Sequence, residues 1–188
     1  VHTTSRARIA ASLPRFLRDA GTGLHGPERC RGDRGLLASG RMFVGVVLNP
    51  RARKNRRAGA DRARRLARVL GPHGDVVETR SIDELPDAVE RLLPRSTHLV
   101  SDGGDGALHW LINGVRDRLG DAEAPSWPTF VPTNGGTIDF VARKAGVRGR
   151  SIEIVDRLAT PARVRRPPDE VELDTMLGEG VHADGRTF

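Results

Sequence analysis

Short apolar runs alternate along the chain with longer segments in which apolar residues recur every three or four positions. The first run, residues 42–48, is almost continuously apolar, which is typical of a strand buried on both faces. Further runs at 75–79, 97–100 and 129–132 predict three more strands. The intervening segments have the spacing of helices that bury one face. This order predicts right-handed βαβ units, and hence an α/β fold built on a parallel sheet.

The apolar stripes locate three of the helices. Ser81 and Glu84 have the spacing of a capping box at the start of the second one. The positions predicted to be buried are Ala63, Leu66, Ala67 and Leu70 in the first helix, Ile82, Leu85, Ala88, Val89 and Leu92 in the second, and Leu108, Leu111, Ile112, Val115 and Leu119 in the third. Two shorter helices are expected at about 138–146 and 151–158.

A glycine-rich turn, Gly103-Gly104-Asp105-Gly106, joins the third strand to its helix. Glycine permits positive φ and lets the backbone come close to a ligand, while the start of a helix offers N–H groups to an anion. Asp105 would repel a phosphate here unless a cation or a transferable proton is also present. The turn therefore predicts either an anion site in which Asp105 has a chemical role, or a plain connection in which Asp105 caps the helix.

A second glycine-rich loop, Gly135-Gly136-Thr137, follows the fourth strand, and Asn49-Pro50 ends the first strand. In open α/β sheets the ligand lies in a crevice at the carboxyl ends of the strands, where these loops are expected to meet. Arg51, Arg53 and Lys54 belong to the same edge. Two glycine loops at one edge favour a bound ligand over a chance cluster.

The composition narrows the class of partner. A net charge of +7 suits phosphate-bearing ligands or an anionic membrane surface. Cys30 is the only cysteine, which excludes a disulfide framework and a cysteine-rich metal site. No apolar run reaches the roughly 18 residues of a membrane-spanning helix, and there is no signal-peptide core. A soluble cytoplasmic protein is expected, with peripheral contact at the inner membrane surface allowed by its charge.

The same patterns divide the chain into three parts. Residues 1–40 are arginine-rich with little apolar periodicity, and are predicted to be a disordered basic leader, with a targeting segment or basic arm as the alternative. Residues 41–160 form the α/β domain, and 161–188 are expected to be a linker and the first strand of a truncated β domain. The basic stretch 51–68 is interpreted as the solvated face of a helix, or alternatively as a contact for anionic lipid or nucleic acid.

Three motifs occur in a fixed order: Leu48-Asn49-Pro50, Gly103-Gly104-Asp105-Gly106, and Pro132 followed by Gly135-Gly136-Thr137 and Asp139. Together they resemble the catalytic domain of diacylglycerol kinases, which is shared with sphingosine kinases and bacterial lipid kinases and is related more distantly to NAD kinases. The resemblance covers residues 42–177. Further matches are Trp110, Asn113-Gly114 and Val141-Ala142-Arg143.

The resemblance implies an ATP-dependent lipid kinase that uses Mg²⁺ and transfers the γ-phosphoryl group to a diacylglycerol-like lipid hydroxyl. It implies that the nucleotide lies over the two glycine loops, with Asp105 as the catalytic and metal-binding residue. The residues implied to bind the nucleotide are Asn49, Gly103, Gly104, Gly106, Gly136 and Thr137. The implied partners are ATP, a lipid acceptor and, peripherally, an anionic membrane, whereas nucleic acid is not expected.

The chain departs from the family pattern at several positions. Ala107 stands where threonine is usual, Trp110 where many bacterial members have glutamate, and Asp139 where asparagine is common. The segment 51–54 replaces a Ser-Gly pair. The family's second, lipid-holding β domain is expected to be present only as its first strand, at 170–177, so little or no activity is expected of the chain alone. The alternatives are a non-catalytic basic module that binds a nucleotide or a membrane surface, and an NAD kinase.

Overall fold

Six strands form one sheet in the computed structural model, which describes residues 4–10, 42–59, 61–120, 127–164 and 170–176. The strands are β1 (Thr4–Ala10), β2 (Val44–Leu48), β3 (Gly74–Glu78), β4 (His98–Asp102), β5 (Thr129–Pro132) and β6 (Glu170–Met176). Their order across the sheet is β3-β2-β4-β5-β1-β6. All neighbours are parallel except β1 and β6. The predicted α/β class with a parallel sheet is confirmed.

Helices cover both faces of this sheet. They are α1 (Arg53–Ala58), α2 (Arg62–Leu70), α3 (Leu85–Leu92), α4 (Asp105–Leu119), α5 (Phe140–Lys144) and α6 (Ser151–Val164). α3 packs against α4, and α2 packs against α6. Right-handed crossovers place these two pairs on opposite faces of the sheet. None of the helices in the described ranges is both long and apolar enough to cross a bilayer.

The connections diverge between β2 and β4, which are neighbours in the sheet. The chain leaves β2 toward β3 on one side, and it leaves β4 toward β5 on the other side. Strands whose connections diverge in this way leave a crevice at their carboxyl ends, where open α/β sheets bind ligands. The first glycine turn follows β4 at this crevice.

The central strands are buried because most of their side chains are apolar on both faces. Every residue of β2, β4 and β5 is buried. The predicted helical stripes that are buried include Leu66, Leu70, Ala88, Val89, Leu92, Leu108, Leu111 and Val115, whereas Ala67 is exposed. Each fully buried leucine or valine contributes about 1.5–3 kcal/mol, so these stripes fix the helices on the sheet.

The start of α3 differs from the prediction. The helix begins at Leu85 with Pro86 in its first turn, where the missing N–H of proline carries no cost. Ile82 therefore precedes the helix and is 51% exposed, although the stripe predicted it to be buried. The predicted capping box is not formed. Instead, the Glu84 carboxylate accepts the backbone N–H of Arg80 at 2.7 Å.

Residues 4–10 belong to the segment predicted to be a disordered leader, but they form β1. This strand pairs with β6 along its whole length and with β5 at Ile9. The register pairs the two strands residue by residue, from Thr4 opposite Met176 to Ala10 opposite Glu170. The structure thus differs from the prediction over these residues, because β6, the strand that pairs with them, is remote in the sequence. β6 is the strand predicted at 170–177, and its assignment to a truncated β domain remains a prediction.

The longest of the later helices, α6, is anchored at its start. The Glu153 carboxylate accepts the backbone N–H of Arg150 at 2.9 Å and its guanidinium N–H at 2.7 Å. The hydrogen bond from the backbone N–H is the larger cause, and that from the guanidinium the next, of a lowered pKa of Glu153. The helix extends past the predicted end at 158 to Val164, and it packs on α2, which carries a residue of the site described below.

Candidate active site

Three loops meet at the carboxyl edge of the sheet. They are residues 49–52 after β2, 103–104 after β4 and 133–139 after β5, called here the first, second and third loops. The backbone N–H of Asn49 donates to the carbonyl of Asp102 at 3.1 Å, and that of Lys54 donates to the carbonyl of Gly135 at 3.0 Å. These hydrogen bonds hold the first loop against the end of β4, and the start of α1 against the third loop.

The second and third loops pack backbone to backbone. A Cβ on Gly104 would lie 3.0 Å from the Cα of Gly136, and one on Gly136 would lie 2.5 Å from the Cα of Gly104. A Cβ on Gly135 would lie 2.9 Å from the carbonyl oxygen of Gly103. The first glycine turn does not use the positive φ that glycine permits, and Gly104 has a φ of −103°. These glycines are required because any side chain would push the two loops apart.

Asn55, on α1, fastens the first loop to the end of β4. Its side chain is buried, and Nδ2 donates to the carbonyl oxygens of Asn49 at 2.9 Å and Asp102 at 2.8 Å. The Asn49 side chain accepts the backbone N–H of Arg51 at 2.9 Å, which closes a local turn. Asn49, which the resemblance assigns to the nucleotide pocket, therefore shapes the first loop through its own side chain.

A buried ion pair lies beneath the loops. Asp102, the last residue of β4, is fully buried. Its carboxylate accepts hydrogen bonds from Arg62 Nε at 2.7 Å and Nη2 at 2.9 Å, and from Thr133 Oγ1 at 3.0 Å. Such a bidentate pair with an added hydroxyl satisfies a charge that has left water. The sequence analysis did not identify this unit, although an aspartate ending a buried strand is an available signal.

Asp105 lies at the N-terminal ends of two helices. It is the first residue of α4, and its carboxylate accepts the backbone N–H groups of Phe140 at 2.9 Å and Val141 at 3.0 Å. These two residues are the first of α5. Gly104 is the N-cap of α4, which has no side-chain cap. The alternative prediction that Asp105 caps its own helix is wrong, since the carboxylate binds the start of α5.

Asp139 holds the third loop from within and is only 4% exposed. Its Oδ1 accepts the N–H of Gly136 at 2.8 Å, and its Oδ2 pairs with Lys54 Nζ at 2.6 Å. Its φ of 51° is in the left-handed region, which aspartate and asparagine adopt more readily than other side chains. The negative charge that departs from the family pattern is therefore neutralised by a lysine of α1.

The residues predicted to form the site differ in how accessible they are. Asn49, Gly103, Gly104, Asp105 and Gly136 make the contacts described above. Gly106 and Thr137 are exposed, and a Cβ on Gly106 would meet no atom within 4 Å. The side of the turn that contains Gly106 is therefore open to a ligand, whereas Gly103 and Gly104 are packed within the protein.

A cavity of about 300 Å³ adjoins the first loop at the ends of β2 and β3. Its charged lining consists of Arg56, Arg62, Glu78 and Arg80. Arg80 pairs with Glu78 at 3.0 Å, and Arg56 has no ion pair among the described residues. The cavity is at the small end of the range for ligand pockets, and its excess of arginine suits an anionic group.

The chemistry of the Asp105 carboxylate fits the Mg²⁺ that the family resemblance implies. No group of three or more His, Cys, Asp or Glu side chains in the described ranges is arranged to hold a metal by itself. Magnesium at phosphotransfer sites is usually bound by one or two carboxylates together with the phosphates of the substrate. The Asp105 oxygens each accept one N–H, which leaves lone pairs on both.

Comparisons with known proteins agree with the motifs. The family model "Diacylglycerol kinase catalytic domain" matches residues 44–166. The crystal structure of a "putative diacylglycerol kinase" from Bacillus anthracis str. Sterne is similar at 16% identity with a TM-score of 0.49, over 64% of this chain and 42% of that chain. The chain thus spans less than half the length of that structure, and no curated protein matches it. Since the family match covers more than half of the sequence, the chain belongs to the diacylglycerol kinase catalytic domain family.

Proposed function

We propose that this domain transfers the γ-phosphoryl group of ATP, with Mg²⁺, to a hydroxyl group of a diacylglycerol-like lipid. The observation that carries the proposal is the Asp105 carboxylate, held at the start of α4 and α5 beside the open side of the turn at Gly106. Membership of a kinase family supports this chemistry. Phosphoryl transfer depends on positioning and charge neutralisation more than on covalent help from the protein.

The nucleotide phosphates are proposed to lie against the first turn of α4, where the N–H groups have no partner within the helix. Gly106 leaves this turn uncovered. The contact between Gly104 and Gly136 keeps the second and third loops together beneath the phosphates. Thr137 is exposed on the third loop and is proposed to offer its hydroxyl to the nucleotide.

Asp105 is proposed to bind the metal and to accept the proton of the acceptor hydroxyl. When bound, Mg²⁺ supplies neutralisation of the phosphate charge. The hydroxyl oxygen attacks the γ-phosphorus, its proton passes to the Asp105 carboxylate, and the bond from the γ-phosphorus to ADP breaks. A carboxylate beside phosphates weakens ground-state binding, so its benefit is expected in the transition state.

We further propose that rapid transfer requires a second, lipid-holding β domain joined to this one. The family resemblance implies such a domain, which holds the lipid and supplies further catalytic groups. Uniform nucleotide binding without a positioned acceptor gives little rate enhancement, because orientation of the two reactants supplies much of the catalysis. The domain alone is therefore expected to bind ATP and to transfer phosphate slowly.

The test combines one substitution with one extension. Asp105→Asn keeps the size of the side chain and removes its charge, and Asp117→Asn, at an exposed position of the same helix, is the matched control. Each variant is made in the chain alone and in a fusion to the β domain of a relative. Calorimetry gives ATP affinity with and without Mg²⁺, and labelled phosphate from ATP is followed into diacylglycerol in mixed micelles.

We expect the fusion to transfer phosphate faster than the chain alone, and Asp105→Asn to remove that gain by a factor of about 100 or more. Asp105→Asn should bind metal-free ATP as well as or better than the parent, and Asp117→Asn should resemble the parent throughout. Transfer that survives Asp105→Asn would contradict the role of this carboxylate. Rapid transfer by the chain alone would contradict the need for a second domain.

A lipid acceptor is also supported by exposed apolar residues on the third loop and α5. Ile138 is 63% exposed and Phe140 is 56% exposed, with Lys144 Nζ lying 5.6 Å from the centre of the Phe140 ring. An aromatic ring beside a cation suits the surface of an anionic membrane. The observation equally favours the second candidate, a module that binds a membrane surface without catalysis.

Sedimentation with vesicles, combined with the phosphate-transfer assay, distinguishes the lipid kinase from the non-catalytic module. Phe140→Ser should weaken binding to phosphatidylglycerol vesicles, whereas Ile82→Ser, at a similarly exposed isoleucine before α3, should not. Every variant should bind phosphatidylcholine vesicles more weakly than phosphatidylglycerol vesicles. High salt should reduce this difference between the two lipids. Vesicle binding combined with no phosphate transfer in the fusion would favour the non-catalytic module.

A further inference from the structure

The contact between Lys54 and Asp139 joins two loops of the site through a nearly buried charge. Asp139 is 4% exposed, and its carboxylate lies 2.6 Å from Lys54 Nζ. A buried carboxylate without a partner is costly, so the amine of Lys54 offsets the charge of Asp139. The Lys54 side chain itself is 51% exposed, so the amine approaches the carboxylate from the solvent side.

Lys54 holds the third loop at two points. Its backbone N–H donates to the carbonyl of Gly135 at 3.0 Å, and its amine binds Asp139. Asp139 in turn accepts the N–H of Gly136, the residue that packs against Gly104. A change at the Lys54–Asp139 pair therefore reaches the contact between the two glycine loops directly, through the hydrogen bond from Gly136 to Asp139.

We propose that Lys54 and Asp139 are positioning residues that set the spacing of the glycine loops, and that Lys54 serves Asp139 rather than the phosphates of the nucleotide. This inference deepens the proposed function, because the ligand whose affinity it affects is the nucleotide. It also explains how the site contains an aspartate on the third loop without repelling an anionic ligand. The charge of Asp139 is offset inside the protein by the amine of Lys54.

The structure allows the charge to be separated from the loop geometry. Asp139→Asn retains a side chain suited to a φ of 51° and retains an oxygen that can accept the N–H of Gly136. It removes only the charge. Lys54→Met retains the apolar stem and removes the cation, which leaves the Asp139 carboxylate uncompensated. The double variant removes both charges together.

The first experiment measures the pair without any nucleotide. Lys54 and Lys144 are the only lysines in the sequence, so amine acetylation followed by mass spectrometry reports on each separately. We expect Lys54 to react about fivefold more slowly than Lys144, the upper end for a half-exposed ion pair, because its amine must first leave the carboxylate. Asp139→Asn should remove this difference. Equal rates for both lysines in the parent protein would overturn the proposal.

The second experiment is a double-mutant cycle on the affinity for Mg·ATP, measured by calorimetry with Lys144→Met as the matched control. Lys54→Met should weaken binding about tenfold, since a bare buried carboxylate would displace the third loop and face the phosphates. Asp139→Asn and the double variant should both bind within about threefold of the parent. Lys54→Met would then weaken binding in the parent but hardly in the Asp139→Asn background, which is the non-additivity expected of residues in contact. Lys144→Met should have no effect of that size.

The outcomes separate the possible roles of Lys54. If the double variant binds as weakly as Lys54→Met, the lysine contacts the phosphates directly and the proposal is wrong. If Lys54→Met binds like the parent, the pair has no positioning role and the proposal is also wrong. If the parent protein binds no nucleotide, the proposed function fails. In that case the acetylation rates alone test whether Lys54 pairs with Asp139. Circular dichroism checks that each variant is folded.

Discussion

Asp102 and Asp105 flank the same pair of glycines, yet their surroundings have little in common. Asp102 is fully buried at the end of β4, and every polar partner of its carboxylate is a side chain, Arg62 or Thr133. Asp105 is partly exposed at the start of α4, and its carboxylate is held by backbone N–H groups alone. One carboxylate is enclosed by the fold, and the other is oriented by it and left accessible.

The difference assigns separate tasks to the two acids. The Asp102 pair connects β4, α2 and the third loop, so it stabilises the platform on which the loops lie. Asp105 has lone pairs that face away from its two amide donors, and it borders the open position at Gly106. The four predictions that follow test this division, from the largest expected change in stability to the smallest.

Asp102→Asn should destabilise the protein by about 3–5 kcal/mol, because it leaves the guanidinium of Arg62 without its charged partner in a largely buried position. Urea unfolding followed by circular dichroism gives the free energy. The same substitution at Asp105 should cost less than about 1 kcal/mol, since asparagine can still accept a backbone N–H. Equal losses at the two positions would remove the distinction between them.

Gly136→Ala should destabilise the protein by about 2–3 kcal/mol, because the new Cβ would lie 2.5 Å from the backbone of Gly104 and neither loop can yield as a side chain does. The loss should appear as a lower urea midpoint with an unchanged slope. Nucleotide affinity should fall together with stability. A variant as stable as the parent would show that the two loops do not pack as described.

Thr133→Val should cost about 1–2 kcal/mol by removing the hydroxyl bonded to Asp102 at 3.0 Å while preserving the shape of the side chain. In the background of Asp102→Asn the same change should cost much less, because the two residues share one network. Additive losses, measured by the same unfolding experiment, would place Thr133 outside the network.

Gly106→Ala should leave stability unchanged or raise it by up to about 1 kcal/mol, since its Cβ meets no atom and alanine favours a helix. Any loss should appear instead in ATP affinity, where the extra methyl group would narrow the proposed phosphate position. A clear loss of stability would show that Gly106 is packed like Gly103 and Gly104. Unchanged affinity would place the phosphates elsewhere.

The sheet was predictable because its signals are local. The strand at 129–132 has the predicted bounds, and the run at 42–48 contains β2, since a continuous apolar segment has few alternatives to a buried strand. The prediction failed for Ile82, where Pro86 delays the helix start by several residues. It also missed β1, because the residues that pair with it are remote in the sequence.

The site was predictable in its motifs and not in its contacts. The glycines at 103, 104 and 136 were identified, but their physical role was assigned to positive φ or to a ligand, whereas they pack against each other. The pair between Arg62 and Asp102 joins an arginine-rich helix to a strand end, and nothing in the spacing of either segment identifies the partner. The same holds for Lys54 and Asp139, which pair only because two loops meet in space.

The position of β1 has a consequence for how the protein folds during synthesis. β1 precedes every other strand of the sheet in the chain, yet its two neighbours are β5 and β6. During synthesis the strands from β2 to β5 can associate in the order in which they emerge from the ribosome. The backbone of β1 stays unpaired until β5 and β6 have been synthesised. Closing such a long loop is slow compared with local pairing. The nascent chain should therefore pass through a state in which the two glycine loops are formed and one edge of the sheet is still open to chaperones and proteases.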